Sequence, residues 1–268
     1  MKVEFHTQFK AKEYPVVIIP FYEDKKKAEE IFLEKALKPF YDSVLKVGDF
    51  SGKKGQLVWV YPEEGPKRLL LLGMGKKTKD LNSIRLSFAK GVRQIRKTKI
   101  NDAVFCIKGF SSLEREAIFD GILSMNYSFD LYKKEDPLLE KMIFICEEGK
   151  KDFEIKQKLF SGIYLARDLV NENADSVNPT YLAKVAKDLE KKSDKITTKI
   201  LDKKQIEKEK MGLLLAVNRG SHVEPKFIVV QYSGGKKGEK PIVLVGKGVT
   251  YDTGGLSLKP TAGMLDMK

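Results

Sequence analysis

Apolar positions along this chain come in two forms, short unbroken runs and longer stretches at helical spacing, and the two alternate. Residues 16–21 are a run with β-branched side chains that ends in charge. Residues 24–45 then place Ile31, Phe32, Leu37, Tyr41 and Leu45 at the three-to-four spacing of a helix face. Residues 56–61 (QLVWVY) and 68–73 (RLLLLG) flank the Pro/Gly-containing segment YPEEGPK, a pattern that predicts two strands joined by a loop. A helix is expected over 83–97, a strand over 102–107, a helix over 112–124 and a strand over 141–146. Strands alternating with helices over this length predict an α/β domain with a mostly parallel sheet.

The polar stretch 147–154, with Gly149 inside it, marks a candidate domain boundary. Beyond it, 153–170 reads as one long linker helix, and 179–191 as a second helix, with Asn178 as its cap and Pro179 in its first turn. A strand is expected over 199–202 and a charged helix over 203–210. Residues 227–232 and 242–245 are apolar runs of the kind found in buried parallel strands. The polar turn 233–240 joins them. The resulting organisation is an N-terminal α/β domain (1–150), a linker helix and connection (151–178), and the start of a second α/β domain (179–268).

A composition of 42% hydrophobic and 32% charged residues places the chain among folded rather than disordered proteins. Its apolar runs are far too short to span a bilayer, so no membrane partner is expected. The first fifteen residues lack the apolar core and cleavage site of a signal peptide, which leads to an expectation of cytoplasmic location. Cys106 and Cys146 each lie inside an apolar run and read as reduced, buried thiols. With only His6 and His222 besides, a Cys/His zinc site is not expected. The net charge of +13 can attract nucleic acid, or reflect a general excess of lysine. The lysines are spread along the chain, with no basic block interleaved with aromatics to stack on bases.

Candidate chemistry concentrates in 242–268, IVLVGKGVTYDTGGLSLKPTAGMLDMK. Ligands of open α/β sheets bind beyond the carboxyl ends of strands, where Lys247 and Asp252 would fall. Gly246, Gly248, Gly254 and Gly255 allow sharp turns and close approach of the backbone to a ligand. Neither GxGxxG nor GxxxxGK[ST] is present. The residues alone therefore leave two readings, a functional loop carrying a cation and a carboxylate, or a Gly-rich connector.

The run VGKGVTYDTGGLSLKPTAGM resembles the signature of the leucyl aminopeptidase family, the M17 metallopeptidases. ARDLVNENADSVNPTYLA, from Ala166, is similar to the family's segment leading into the catalytic domain, and MGLLLAVNRGSHVEPKFIVVQY, from Met211, to the stretch before its active-site strand. The resemblance implies a metal-dependent aminopeptidase that releases N-terminal residues, leucine-type, from peptides. It implies two divalent ions, manganese or zinc, with Lys247 and Asp252 as metal ligands and Lys259 as the catalytic cation that stabilises the oxyanion. It also implies a homohexamer.

The chain departs from the pattern at its end. The family's next metal-ligating aspartate falls at position 270, past Lys268, and Asp266 does not take its place. The later NTDAEGR segment, with its own ligands and a catalytic arginine, has no counterpart. The expectation is a truncated chain, interrupted within its active site and without peptidase activity by itself. The alternative is a non-catalytic basic α/β module that binds nucleic acid or a protein partner.

Overall fold

A computed structural model describes residues 1–9, 14–23, 28–30, 37–236 and 238–267. The chain divides into two compact units, Met1–Leu165 and Ala166–Lys268.

The first unit is built on a seven-stranded sheet. Its strands are β1 (Lys2–His6), β2 (Val17–Glu23), β3 (Ala28–Glu30), β4 (Leu57–Val60), β5 (Leu69–Gly73), β6 (Asp102–Cys106) and β7 (Lys141–Ile145). They lie in the order β1-β7-β6-β2-β5-β4, with β3 on β2. The pairs β1/β7, β7/β6, β6/β2 and β2/β5 are parallel. The hairpin partner β4 and the short β3 run antiparallel. The mostly parallel α/β architecture expected from the alternating pattern is therefore what the chain forms.

The unbroken apolar runs follow from burial on both faces. Successive side chains of a strand point to opposite sides. Ile18, Leu70, Leu72, Phe105, Met142 and Phe144 thus enter one core. Their neighbours Val17, Ile19, Leu69, Leu71, Val104, Ile143 and Ile145 enter the other. The first core is closed by α2 (Leu81–Arg96), α3 (Ser112–Met125) and the start of α4 (Lys150–Asn171), through Phe88, Phe119 and Phe153. Tyr41 of α1 (Lys38–Val47) lies in the second. Asp80 caps α2, its carboxylate accepting from Asn82 N at 3.0 Å. Ser111 and Glu114 form a reciprocal capping box at the start of α3. Helices α2 and α3 approach closely at Gly121, where a Cβ would come within 2.2 Å of the Arg85 carbonyl oxygen. Both cysteines are buried and free, and burial pushes the Cys146 thiol up to about 11.

The sequence pattern misreads one helix here. Over 24–45 the structure has a helix only from Lys38, and Ala28–Glu30 is a strand against β2. Pro39 sits in the first turn of α1, where its missing N–H costs nothing; within a longer helix its ring would clash with the preceding turn. Residues 24–27 and 31–36, including Ile31 and Phe32, lie outside the described residues.

The second unit contains α5 (Pro179–Glu190), β8 (Ile196–Leu201), α6 (Lys203–Lys208), α7 (Gly212–Asn218), β9 (Phe227–Tyr232) and the single turn α8 (Thr261–Met264). The helix α4 spans the division between the units. Asn178 caps α5 as expected, its Oδ1 accepting from Thr180 N and Tyr181 N at 3.1 Å each. Helix α5 is tied to β8 through Thr198, whose hydroxyl donates to Ala186 O at 3.2 Å and whose N–H donates to Glu190 Oε1 at 3.1 Å.

Two expectations fail in this unit. β9 pairs antiparallel with β8 in a two-stranded sheet and is largely exposed, not a buried parallel strand. Residues 242–245 form no strand and stand in solvent, at 92%, 74%, 92% and 94% exposure. A continuous apolar run signals burial on two faces, and nothing among the described residues of this unit covers either face.

Candidate functional site

The residues that carried the sequence argument lie in one loop, 246–260, which the second unit holds through a few local bonds. Asp252 N donates to Met267 O at 3.2 Å, and Lys259 N donates to Thr253 O at 2.9 Å, so the loop closes on itself across Gly254 and Gly255. Both glycines have positive φ, +88° and +68°. At Gly254 a Cβ would stand 2.3 Å from Ser257 O and 3.1 Å from Lys259 N. Glycine at 254 is thus a steric requirement of the turn, and at 255 it is favoured by the positive φ alone.

Asp252 and Lys259 are brought into direct contact. Lys259 Nζ lies 2.8 Å from Asp252 Oδ2 and also donates to Asp252 O at 3.3 Å. The other carboxylate oxygen, Oδ1, accepts from Gly254 N at 2.9 Å. These two partners, the Lys259 ammonium first and the Gly254 N–H second, hold the Asp252 carboxyl below its ordinary range. Lys247 is exposed and acts on Asp252 through charge, lowering its pKa further. The structure therefore joins two of the three sequence-predicted site residues and leaves Lys247 outside the contact.

Sequence reasoning missed Met267. Its sulfur accepts from Lys259 Nζ at 3.1 Å, and its carbonyl holds the Asp252 amide. No signal marks a methionine near the end of a polar stretch as a partner of an ammonium group eight residues earlier. Asp266 makes no ion pair among the described residues.

A carboxylate kept anionic is an oxygen donor of the kind that divalent cations take, whereas Lys247, acting here as a charged ammonium, has no lone pair to offer one. Asp252 and Lys247 are in any case too few to enclose one. Among the described residues, no group of three or more His, Cys, Asp or Glu side chains could hold a metal.

Comparison with known proteins gives the family of the chain. A sequence model described as the cytosol aminopeptidase family, N-terminal domain, matches residues 17–136. A second, the catalytic domain of the same family, matches residues 164–268. The chain belongs to the cytosol aminopeptidase family. Among curated relatives, the probable cytosol aminopeptidase of Protochlamydia amoebophila is 38% identical over 97% of this chain and 55% of its own length. That of Chlamydia trachomatis serovar D is 40% identical over 94% of this chain and 53% of its own length. This cytosol aminopeptidase homologue thus spans about half the length of the curated relatives it matches.

Solved structures share the fold. A mutant of tomato leucine aminopeptidase superposes with a TM-score of 0.80 at 24% identity, covering 94% of this chain and 55% of the tomato chain. The bottromycin maturation enzyme BotP, solved in complex with Mn, gives 0.74 at 23% identity over 95% of this chain and 52% of its own. The cytosol aminopeptidase of Coxiella burnetii gives 0.71 at 25% identity over 98% of this chain and 53% of its own. Among the described residues, no helix is long and apolar enough to cross a membrane.

Proposed function

We propose that this chain carries the first part of the active site of a metal-dependent aminopeptidase that releases N-terminal residues, leucine-type, from peptides in the cytoplasm. The observation that supports this reading most is the Asp252–Lys259 pair, fixed in a glycine-bent loop that lies within the catalytic-domain match. On this reading residues 1–150 are the N-terminal domain, 151–178 the linker, and 179–268 the start of the peptidase domain.

Lys247 and Asp252 would hold divalent metal, two ions of manganese or zinc, together with donors that this chain does not supply. Bound ions of this kind provide Lewis acidity and a nucleophilic water near neutral pH. Asp252 is already anionic, as a ligand must be. Lys247 would have to bind as the neutral amine, which a strong local positive charge favours. Lys259 would stay protonated, directed at the oxygen of the scissile carbonyl, where negative charge develops. The reading extends to a homohexamer of the full-length protein.

The 268-residue chain alone is expected to release no leucine from a leucyl anilide in the presence of Mn²⁺. The same chain joined to the part of the Protochlamydia relative that it does not span should release it. In that longer chain Lys259→Ala should lower kcat by about 10²–10³-fold, the usual cost of losing one oxyanion-stabilising donor, with metal content unchanged. Activity of the Lys259→Ala chain equal to that of the parent would remove the role given to Lys259.

A further inference from the structure

Charge is distributed unevenly along the first unit. Residues 51–100 hold thirteen Lys and Arg against three Asp and Glu, whereas residues 1–50 hold nine of each and residues 101–165 hold nine against twelve. The ion pairs that 51–100 makes among the described residues are Arg85 with Asp120 and Arg96 with Glu135, so most of its excess has no countercharge.

The fold gathers that excess into one stripe. Lys90, Arg93 and Lys97 are exposed and recur at i, i+3 and i+7 on α2, so they share one face of a helix about 24 Å long. The loop before β4 closes on the loop after β5, with Gly75 N donating to Gly52 O at 2.9 Å. A Cβ at Gly75 would stand 2.8 Å from Lys54 Cβ, and one at Gly55 would stand 2.7 Å from Lys90 Nζ. Exposed lysines from three stretches of chain, Lys53 and Lys54, Lys76, and Lys90, thus converge where the stripe begins. Asp80 lies at the same end of α2, with its carboxylate engaged as the cap. Leu86, 48% exposed, sits on the helix one turn before Lys90. All of these residues lie inside the N-terminal-domain match.

We propose that this stripe is a docking surface for an anionic lipid bilayer, on which the first unit lies peripherally. Five of the six cations are lysines, compact charges suited to a diffuse anionic surface, and the bidentate fork that reads individual phosphates occurs once, at Arg93. Leu86 offers an apolar side chain to the headgroup boundary, beside long side chains that keep their charge at the surface. Phe88, the aromatic residue of α2, is buried, so the helix gives nucleic-acid bases nothing to stack on. The shortness of the apolar runs excludes a spanning segment and has no bearing on adsorption at a surface. Binding of this kind uses no residue of the candidate active site and is independent of the aminopeptidase reading.

The test is sedimentation of the 268-residue chain with vesicles of phosphatidylcholine alone and of equal parts phosphatidylcholine and phosphatidylglycerol. The expected result is binding to the mixed vesicles only, falling at least tenfold between about 0.1 and 0.5 M salt. A basic residue near an anionic leaflet is worth on the order of fivefold in partition. Lys90→Gln with Arg93→Gln should therefore weaken binding by at least about tenfold. Lys133→Gln with Lys134→Gln removes the same charge from exposed positions elsewhere on the unit, and should leave binding within about twofold of the parent. Leu86→Ser should weaken it by about threefold or more.

Equal binding to neutral vesicles, or none to either kind, overturns the proposal. An equal loss in the two double variants assigns the attraction to net charge rather than to the stripe and also overturns it. So does Leu86→Ser binding as the parent does, or release of the chain from mixed vesicles by a DNA duplex at equal phosphate concentration, which would assign the stripe to nucleic acid.

Discussion

At the scale of single residues, the loop around Asp252 depends on a backbone that only glycine adopts without strain. At Gly254 the positive φ and the 2.3 Å approach of a Cβ to Ser257 O act together. Gly254→Ala is expected to cost at least about 1–2 kcal/mol locally and to break the bond from the residue 254 amide to Asp252. Amide NMR shifts over 252–260 should move as a block, and an unchanged spectrum would show that the turn tolerates a side chain. A second residue of this kind is Glu4 on β1. Its carboxylate meets Lys2 at 3.1 Å, His6 at 3.2 Å and Lys141 at 3.4 Å, and these contacts, Lys2 first, lower its pKa from 4.5 to about 2. A depressed carboxylate stabilises the fold fully above its unfolded pKa and loses that contribution as pH falls through the folded one. Glu4→Gln should therefore lower Tm at pH 7, and the difference from the parent should shrink below about pH 4.5 and vanish near pH 2. A difference that persists at pH 2 would assign the effect to packing and not to charge.

At the scale of elements, most of the first unit was legible because burial on both faces of a parallel sheet writes itself as uninterrupted aliphatic runs. β5 (LLLLG) and β7 (KMIFI) are read directly from such runs, and the helix expected over 112–124 is α3, whose Ser111/Glu114 box only the structure shows. The helix expected from Asp24 was not legible, since periodicity alone could not weigh Pro39 against it. The segment after α3 was also hidden, because a single distant side chain organises it. Arg96, nearly buried at the end of α2, donates to Met125 O at 2.7 Å, Tyr127 O at 2.8 Å, Asp136 O at 2.8 Å and Pro137 O at 3.1 Å. Asn126 adds a two-way bond with the Leu139 backbone, at 2.7 and 3.1 Å. No local pattern announces a guanidinium that bonds four carbonyls about thirty to forty residues away. Arg96→Lys keeps the charge but not the fork, and should destabilise the first unit by roughly 2–4 kcal/mol in urea unfolding. A change below about 0.5 kcal/mol would show that water replaces those bonds at little cost.

At the scale of the whole chain, the site was legible as a motif and illegible as geometry. Lys247, Asp252 and Lys259 are picked out by the resemblance of their run to the family signature, and only the structure shows Asp252 and Lys259 in contact and Met267 as their third partner. The runs 227–232 and 242–245 were expected in a buried sheet and are exposed, for the pattern reports the environment a segment is suited to, and here that environment is not supplied by the described residues. The chemistry meets the same limit, because among the described residues no group of three or more His, Cys, Asp or Glu side chains could hold a metal. The central claim is that Lys247 and Asp252 are metal ligands in a longer polypeptide. Its most direct test is calorimetric titration of Mn²⁺ into the chain joined to the remainder of the Protochlamydia relative, beside the same chain carrying Asp252→Asn. The account predicts tight binding by the parent, at least about 100-fold weaker binding by the variant, and no measurable binding by the 268-residue chain alone. Equal Mn²⁺ affinity in parent and Asp252→Asn would contradict it.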